Sequence, residues 1–559
     1  MSRDKFVIGI DYGTESGRVV VVRVRNGEEV GSAIIPYADG VIDEKLPGGP
    51  HLEPDWALEN PRDYLAVVEK GLPKALKAAG ARADSVVGIG TDFTASSPLP
   101  TMRDGTPLCF LPAFRKQPHA WVKLWKHHAA QAEADRINEI GRARNEEFIR
   151  TYGGRYSSEW FFSKLLEIVN EAPAIYEAAE RFIEAADWIV WRLTGEEKRN
   201  ACTAGYKAMW VKGKGFPSPD FFRALHPAME NVIGTKVPGT YYPLGARAGG
   251  LTPAWAKKTG LREGTPVSVG NVDAHVAVPA CTVVEPGSLV MIMGTSICHM
   301  LLGRKKQMVD GMCGTVEDGI VPGFWGYEAG QSAVGDIFAW FFEHGVPDYI
   351  HREARARKLP FETVLEERAK ALRPGQSGLV ALDWWNGNRS ILVDVELTGL
   401  LLGMTLATRA EEIYRALIEA TAFGTRTIVE AFESRGVRVE RLVACGGLPE
   451  KNQLLMQIYA DVTGRDIQLA DPLLTCSALG SAMHGAVAAG RAGEGYDSIF
   501  EAAEHMARVE KRAYRPRPEN REVYNRSFAE YRTLHDYFGR GANDVMKRLK
   551  ALQRKQVSE

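Results

Sequence analysis

The sequence of 559 residues is poor in the features that mark secreted, membrane and metal-binding proteins. Its seven cysteines are widely spaced and contain no Cys-x-x-Cys pair, which predicts reduced, buried thiols rather than a disulfide framework. No stretch reaches the roughly 18 uninterrupted apolar residues of a membrane span. The first apolar run is stopped by Asp11, so no signal peptide is expected. We therefore expect a cytoplasmic protein without a membrane partner.

Several familiar classes of protein are excluded by what the sequence does not contain. The formal net charge is −1, which gives no chain-wide attraction to nucleic acid. The P-loop, the dinucleotide-binding glycine motif, the protein-kinase catalytic loop and the nucleophile elbow are all missing. None of the twelve histidines stands in His-Glu-x-x-His, and we expect the neighbours His127 and His128 to be solvated rather than zinc-binding.

The sequence does contain a layered α/β pattern, in a chain too long for one hydrophobic core. Short apolar segments at residues 6–10, 19–24 and 30–37 predict three strands joined by turns. A helix is predicted over 61–78 and a buried strand over 85–90. Strands and helices in this order are typical of an α/β domain.

The same pattern returns in the second part of the chain. A strand over 288–293 is followed by a Gly-Thr turn and a returning strand over 298–302. A helix over 409–434 then precedes a strand over 441–445. Because Gly-Thr turns are common, this similarity alone leaves internal duplication open. If the chain is duplicated, two similar domains face each other across a cleft.

Two other segments are predicted to be peripheral. The stretch over 216–250 is rich in proline and glycine and is expected on the surface. The tail after residue 490 is basic and helical, and aromatic residues at helical spacing predict that it packs on its own domain. These aromatic residues are Tyr524, Phe528, Tyr531 and Phe538.

The two Gly-Thr turns are the first candidates for a functional site. A turn rich in glycine and hydroxyl residues presents backbone N–H groups and side-chain donors to an anion. Gly13-Thr14 and Gly294-Thr295 could therefore grip a polyphosphate from two sides, although each alone could be an ordinary hairpin turn. Asp11 stands beside the first turn, and a carboxylate next to phosphate requires a cation, which points to Mg²⁺.

Asp273 is a second candidate acidic residue. It follows a predicted strand and precedes a small, apolar segment. Aspartate in such a position is often a helix N-cap. That role is compatible with a carboxylate facing a cleft, so both interpretations stay open from the sequence.

Five segments, in order along the chain, resemble the motifs of a known family. Residues 11–18 match the phosphate motif Asp-x-Gly-Thr-x-Ser-x-Arg. The others are a second phosphate motif at 294–296, a segment at 328–331 with Gly335 and Trp340, an adenosine motif at 446–452 with Gln457 and 460–461, and a connecting helix at 477–482. Together they resemble the FGGY carbohydrate kinases over about residues 6–490.

The resemblance implies an α/β fold of two ribonuclease H-like domains, of the actin and hexokinase type, around a central cleft. It implies a sugar-binding domain over 1–283, an ATP-binding domain over 284–495, and a helical extension over 496–559 packed on the second domain. A carbohydrate kinase of this kind transfers phosphate to an alcohol group. It uses ATP and Mg²⁺, binds a small sugar and no nucleic acid, and is expected to be a homodimer.

The resemblance also gives roles to individual residues. Asp273 is expected to be the general base. Lys207 stands between apolar neighbours, which is unusual for a surface lysine. The sugar is expected to contact Ala95, Lys207, Asp273 and Glu328. The nucleotide is expected to contact Gly13, Thr14, Gly294, Thr295, Gly335, Gly446, Gly447 and Asn452, with Asp11 holding Mg²⁺, through water.

Within the family, residues 91–96, 158–165, 203–210 and 270–275 resemble those of bacterial L-ribulokinases. Glycerol kinases carry Gln-Arg-Glu where this chain has Thr-Ala-Ser at 94–96, which leaves room for a larger polyol. The implied reaction converts L-ribulose and ATP to L-ribulose 5-phosphate, in L-arabinose catabolism. The alternatives are a kinase for another ketopentose or polyol, such as D-ribulose, xylulose or ribitol, and an actin-like switching ATPase.

Overall fold

The computed structural model describes residues 4–558, which are built around two large mixed sheets. The first sheet has seven strands: β1 (Phe6–Tyr12), β2 (Ser16–Arg23), β3 (Glu29–Pro36), β4 (Val86–Phe93), β5 (Arg247–Gly250), β6 (Pro266–Ser268) and β7 (Asn271–Val272). Their order is β5-β6-β4-β1-β2-β3, and β7 also pairs with β4. Strand β4 is buried along its whole length, as expected of a central strand covered on both faces. We call the part of the chain built on this sheet the first half.

The second sheet repeats this arrangement. Its strands are β8 (Gly287–Met293), β9 (Ile297–Gly303), β10 (Gly314–Glu317), β11 (Trp325–Gln331), β12 (Val439–Cys445), β13 (Ile467–Asp471) and β14 (Arg508–Tyr514). In each sheet a first strand pairs antiparallel with the next strand and parallel with a later one: β1 with β2 and β4, β8 with β9 and β12. The repeated topology confirms internal duplication, and we call this part the second half.

Helices cover both sheets. In the first half they are Pro61–Ala66, Leu72–Ala79, Gln131–Ala143, Glu147–Thr151, Phe161–Glu171, Pro173–Ala178, Ala185–Thr194, Ala201–Lys207, Pro219–Leu225, Val232–Thr235, Pro253–Thr259 and Asp273–Ala280. In the second half they are Gly335–His344, Asp348–Arg357, Phe361–Ala371, Ala410–Ser434, Gly447–Lys451, Gln453–Thr463, Cys476–Ala489, Ile499–Met506, Pro518–Gly539 and Val545–Ser558. Within residues 4–558, none of these helices is long and apolar enough to cross a membrane.

Two helices pack between the sheets and join the halves. Asp273–Ala280 comes from the first half, and Cys476–Ala489 comes from the second half but packs on β1 and β4. The approach is so close that a Cβ atom on Gly9 would lie 1.9 Å from the carbonyl oxygen of Ala478. A Cβ atom on Gly480 would likewise lie 1.9 Å from the carbonyl oxygen of Val276. Glycine therefore permits the contact that fixes the two halves against each other.

The predicted strands agree with the structure to within a few residues, and three expectations need correction. The predicted helix over 61–78 is interrupted by a π-helical turn at Val67–Gly71. The stretch over 216–250 is not peripheral, because the helix Pro219–Leu225 buries Phe221 and Phe222 completely. The tail includes strand β14, antiparallel to β13, in addition to its helices.

Candidate active site

A cleft of about 460 Å³ lies between the two halves and gathers most of the predicted site residues. Seven of them line it: Thr14, Ala95, Lys207, Asp273, Gly294, Thr295 and Glu328. Glu328 lies on β11, Lys207 and Asp273 lie in helices, and the other four residues lie in turns or loops that follow strands of the two sheets. Residues that are far apart in the sequence therefore share one cavity.

The two Gly-Thr turns stand at matching places, directly after β1 and β8. In the first turn the backbone N–H of Gly13 donates to the carbonyl oxygen of Ser16 at 3.1 Å. The hydroxyl of Thr14 accepts a hydrogen bond from the indole of Trp125 at 3.1 Å. In the second turn the N–H of Gly294 donates to the carbonyl oxygen of Ser296 at 2.9 Å. Both turns are closed by backbone bonds and reach the same cleft.

Gly335 supports the second turn from behind. It is the first residue of the helix Gly335–His344, and its N–H donates to the carbonyl oxygen of Gly294 at 3.2 Å. A Cβ atom at this position would lie 2.6 Å from that oxygen. Gly335 does not itself line the cleft, so the structure gives it a packing role next to the phosphate turn.

Asp273 is the first residue of the helix Asp273–Ala280 and lines the cleft. The residue before it, Val272, occupies the N-cap position, so Asp273 is not the cap considered from the sequence. Its carboxylate accepts a hydrogen bond from the N–H of Ala274 at 2.6 Å. Burial, followed by the charge of Asp11, raises the pKa of Asp273 to about 7. A carboxyl group with this pKa can exchange a proton at neutral pH.

Asp11 has a buried acidic neighbour, Asp92, that the sequence reasoning did not assign to the site. Asp11 on β1 is the register partner of Asp92 on β4. Burial raises the pKa of Asp11, and burial together with the charge of Asp11 raises that of Asp92 well above its usual value. Ser481 donates to one oxygen of Asp92, while the other has no hydrogen-bond partner among residues 4–558. The available signal was a second aspartate near the end of an adjacent buried strand.

Lys207 and Glu328 form a buried ion pair across the two halves. The Lys207 ammonium lies 2.7 Å and 2.9 Å from the two carboxylate oxygens of Glu328. The residues are 4% and 7% exposed. Burial acts to lower the pKa of Lys207, but the charge and hydrogen bonds of Glu328, together with smaller contributions from other groups, raise it. His275 Nε2 lies 3.5 Å from the same carboxylate. The site therefore presents a fixed positive and negative group side by side.

Comparison with family models decides the family. The N-terminal domain model of the FGGY family of carbohydrate kinases matches residues 6–279, and the C-terminal domain model matches residues 289–489. The chain belongs to the FGGY family of carbohydrate kinases. This confirms the resemblance carried by the five sequence motifs, and it makes the chain a carbohydrate kinase.

Similar proteins cover nearly the whole chain. A protein from Halalkalibacterium halodurans named ribulokinase is 58% identical over 98% of this chain and 98% of its own length. A ribulokinase from Mycolicibacterium smegmatis is 50% identical over 98% and 96%. Among solved structures, a ligand-bound xylulose kinase from Lactobacillus acidophilus has a TM-score of 0.78 at 16% identity, over 96% of this chain and 99% of its own. That likeness confirms the fold of two α/β domains around a cleft.

The segment of this FGGY kinase that resembles an adenosine motif lies beside the second Gly-Thr turn. Gly446 follows β12 with φ of 100°, and a Cβ atom there would lie 2.4 Å from the carbonyl oxygen of Met293. Asn452 caps the helix Gln453–Thr463 by accepting from the N–H of Leu455 at 2.8 Å. Its amide donates to the hydroxyl of Tyr414 at 2.7 Å. Both ends of the Asn452 side chain are therefore engaged inside the second half, and contact with a nucleoside stays a prediction.

The kinase cleft also contains polar residues that the sequence reasoning missed. Glu159 and Arg389 line it and lie 3.2 Å apart, and His128 Nε2 donates to a carboxylate oxygen of Glu159 at 3.0 Å. Burial acts to raise the pKa of Glu159, but the charge of Arg389, the hydrogen bond and charge of His128 and the charge of Lys207 together lower it. Glu159 lies within residues 158–165, one of the segments that carry the resemblance. Arg389 lies in an irregular loop for which the sequence offered no signal.

His127 is buried, contrary to the expectation that it is solvated. Its Nε2 lies 3.0 Å from both carboxylate oxygens of Glu167, and Lys123 lies 2.9 Å from the same group. Burial, followed by the charge of Lys123, lowers the pKa of His127 to about 3. Nearby, the Lys164 ammonium donates to the carbonyl oxygen of Ser96 at 2.7 Å. This buried polar layer supports the loop that carries Ala95.

Proposed function

We propose that this kinase phosphorylates L-ribulose with ATP to form L-ribulose 5-phosphate, as a step in L-arabinose catabolism. The observation that carries the proposal is the position of Asp273, which shares one cleft with both Gly-Thr turns and with the Lys207–Glu328 pair. Relatives that are 50–58% identical over nearly their whole length carry the name ribulokinase. This similarity supports ribulose over the other ketopentoses and polyols.

Asp273 is proposed to act as the general base. The sugar's primary hydroxyl oxygen attacks the γ-phosphorus of ATP, its proton passes to the Asp273 carboxylate, and ADP leaves with the electrons of the broken P–O bond. An alcohol is too weakly acidic to ionise at neutral pH, so the proton is transferred as the new bond forms. Phosphoryl transfer depends chiefly on positioning and charge neutralisation. The N–H groups and hydroxyls of the two turns are proposed to hold the phosphates.

The residues next to the first turn fit a divalent cation. Asp11, which is half-buried, is the register partner of the buried Asp92. Both have raised pKa values, and one Asp92 oxygen lacks a hydrogen-bond partner among the described residues. Hard cations such as Mg²⁺ prefer carboxylate oxygens. Asp11, with Asp92 behind it, would hold Mg²⁺, directly or through water. When bound, the ion neutralises charge on the phosphate oxygens.

The sugar pocket is proposed to use the ion pair as an orienting device. A sugar hydroxyl can donate to the Glu328 carboxylate and accept from the Lys207 ammonium, so a fixed pair of opposite charges distinguishes hydroxyl orientations. Ala95 leaves space in the wall where an Arg-Glu clamp would fill it. The homodimer stays a prediction from the resemblance, and the cytoplasmic location stays a prediction from the cysteine content and the lack of long apolar runs.

The test is ADP release with Mg-ATP and each of L-ribulose, D-ribulose, D-xylulose, ribitol and glycerol, with product identified by nuclear magnetic resonance. L-ribulose is expected to give the highest kcat/KM and phosphorylation at position 5. Asp273→Asn is expected to lower kcat by about 10²–10⁴-fold because the base is removed. Since the pKa of Asp273 is about 7 and a bound cation lowers it, kcat/KM should fall as the pH drops below 7.

The matched control is Asp187→Asn. Burial also raises the pKa of Asp187 to about 7, but this residue accepts hydrogen bonds from Asn200 and does not line the cleft. The asparagine keeps an accepting oxygen, so activity should change less than threefold. Highest turnover with another sugar would replace L-ribulose as substrate. ATP hydrolysis that ignores every sugar and survives Asp273→Asn would favour the switching ATPase.

A further inference from the structure

Three cysteines that play no part in the proposed reaction meet in the core between the halves. The Sγ atoms of Cys281, Cys445 and Cys476 all lie within 4.8 Å of one another, and those of Cys281 and Cys476 are 4.0 Å apart. The side chains are buried, with exposed fractions of 0%, 1% and 3%. The four other cysteines of the chain do not join this group.

The three thiols come from three structural elements of both halves. Cys281 follows the helix Asp273–Ala280, which carries the proposed base. Cys445 is the last residue of β12 and precedes the adenosine motif, and Cys476 begins the helix Cys476–Ala489. Anything that binds all three thiols therefore ties the first half to the second at the point where the cleft is formed.

The geometry suits a small thiophilic cation. Zinc with thiolate ligands has bonds of about 2.3 Å in a tetrahedral arrangement, which places its sulfur atoms about 3.8 Å apart. The 4.0 Å separation between the sulfur atoms of Cys281 and Cys476 is close to this value. The two separations from the sulfur of Cys445 are at most 4.8 Å, so they would shorten by at most about 1 Å. A disulfide would instead need a separation of about 2 Å, and it would leave the third thiol unused.

The apolar surroundings of the cluster favour a divalent cation over a monovalent one. Its neighbours in the core are apolar side chains, among them Val278, Val443 and Leu479. A net charge in such a region is unfavourable. Three thiolates with a divalent ion leave a charge of −1, whereas with a monovalent ion they leave −2.

We propose that Cys281, Cys445 and Cys476 form a binding site for one soft divalent cation, Zn²⁺ or Cd²⁺, which staples the two halves together. Binding releases the protons of the thiols that become thiolates, and no bond is oxidised or reduced. An ion that binds the native chain and not the unfolded chain stabilises the native chain by mass action. Because the thiols are buried, the ion enters only when the chain opens locally, so binding is expected to be slow.

The test is equilibration of the full chain with Cd²⁺ under reducing conditions with a non-thiol reductant. The expected result is one Cd²⁺ per chain with ultraviolet thiolate-to-cadmium charge-transfer absorption, reversed by a chelator, and a rise in Tm of about 2 °C or more. This absorption separates the site from the other group of potential ligands, His119, Glu167 and Glu171, which contains no sulfur.

Single substitutions locate the site. Cys281→Ser, Cys445→Ser and Cys476→Ser should each weaken Cd²⁺ binding at least tenfold, while Cys109→Ser and Cys202→Ser, at buried thiols outside the group, should leave it unchanged. Circular dichroism and the metal-free Tm check that each variant folds, and Cys→Ala replaces Cys→Ser where it does not. The proposal fails if the wild-type chain shows no charge-transfer band, or if the control variants lose binding as the cluster variants do.

Discussion

The two halves of the molecule share a backbone plan and differ in the chemistry placed on it. In the first half, Asp11 on β1 is the register partner of Asp92 on β4. At the corresponding position of the second half, Ile292 on β8 is the register partner of Cys445 on β12. Asp11 and Ile292 each stand two residues before the glycine of a Gly-Thr turn. The same place in the duplicated fold therefore carries a carboxyl pair on one side and an apolar–thiol pair on the other.

This difference indicates how duplication can separate two tasks within one cleft. The first half concentrates acidic groups near its turn, because Asp273 lies close enough for the Asp11 charge to raise its pKa. The second half has no carboxyl pair there, and a Cβ atom on Gly294 or Gly447 would have no atom of residues 4–558 within 4 Å, which leaves space for a flat or anionic ligand to approach the backbone. Proton transfer and cation binding are accordingly proposed for the first half, and nucleotide binding for the second.

Asp11→Asn removes one carboxylate of the pair that distinguishes the first half. Of the substitutions that test the difference between the halves, it should have the largest effect. Removing the carboxylate beside the first turn removes a proposed cation anchor, so kcat should fall by about 10²-fold or more at saturating Mg-ATP. The measurement is steady-state kinetics over a range of Mg²⁺ concentrations. Asp4→Asn is the control, because Asp4 pairs with Arg23 outside the cleft. Full activity of the Asp11→Asn variant would contradict the proposal that the first half binds the cation.

Lys207→Met tests an ion pair that joins the halves at the proposed sugar site. The substitution leaves Glu328 buried and unpaired, which should cost about 3–5 kcal/mol of stability, partly relieved when Glu328 takes up a proton. The double variant Lys207→Met with Glu328→Gln leaves no unpaired charge and should recover most of the Tm. Both variants should still show a raised KM for the sugar.

Calorimetry and sugar kinetics together decide the outcome of this experiment. A double variant as unstable as Lys207→Met would mean that packing, rather than an unpaired charge, dominates. A normal sugar KM in both variants would mean that the pair is only structural. The second result would contradict the proposed contact between the sugar and both halves, and the first would contradict only the expected cost of the unpaired charge.

Much of the fold could be predicted because local patterns and tertiary structure agree. The apolar run at 288–293 and the turn after it needed no distant partner to be recognised, and the strand is found at Gly287–Met293. The helix predicted over 409–434 is found at Ala410–Ser434. Strand β14 was missed because its residues are mostly charged and exposed, and only pairing with β13 makes it a strand.

Site residues that belong to a sequence motif could be predicted. Site residues that only tertiary packing brings together could not. Thr14 and Gly294 stand in motifs, and the cleft contains both. Asp92 becomes notable only when strand register places it beside Asp11, and Arg389 only when a distant loop brings it to the cleft. His127 was expected in solvent because a histidine pair looks polar. Its burial depends on Glu167, forty residues away, and no local pattern reports such a pairing.

The smallest predicted effect separates the two glycines of the adenosine motif. Gly446 has φ of 100° and a Cβ atom there would lie 2.4 Å from the Met293 carbonyl oxygen, whereas at Gly447 no atom of residues 4–558 lies within 4 Å of such a Cβ. Gly446→Ala should therefore lower the Tm, with a cost of about 1–3 kcal/mol from backbone strain. Gly447→Ala should leave the Tm unchanged.

Because Gly447→Ala should not change stability, it tests only the proposed contact with the nucleotide. If the nucleoside lies against this backbone, the added methyl group should raise the KM for ATP a few-fold while the KM for the sugar and the Tm stay constant. Steady-state kinetics with each substrate varied in turn, beside differential scanning calorimetry, measures all three quantities. An unchanged KM for ATP would place the nucleoside elsewhere in the second half, and the division of tasks between the halves would then depend on the first-half carboxylates alone.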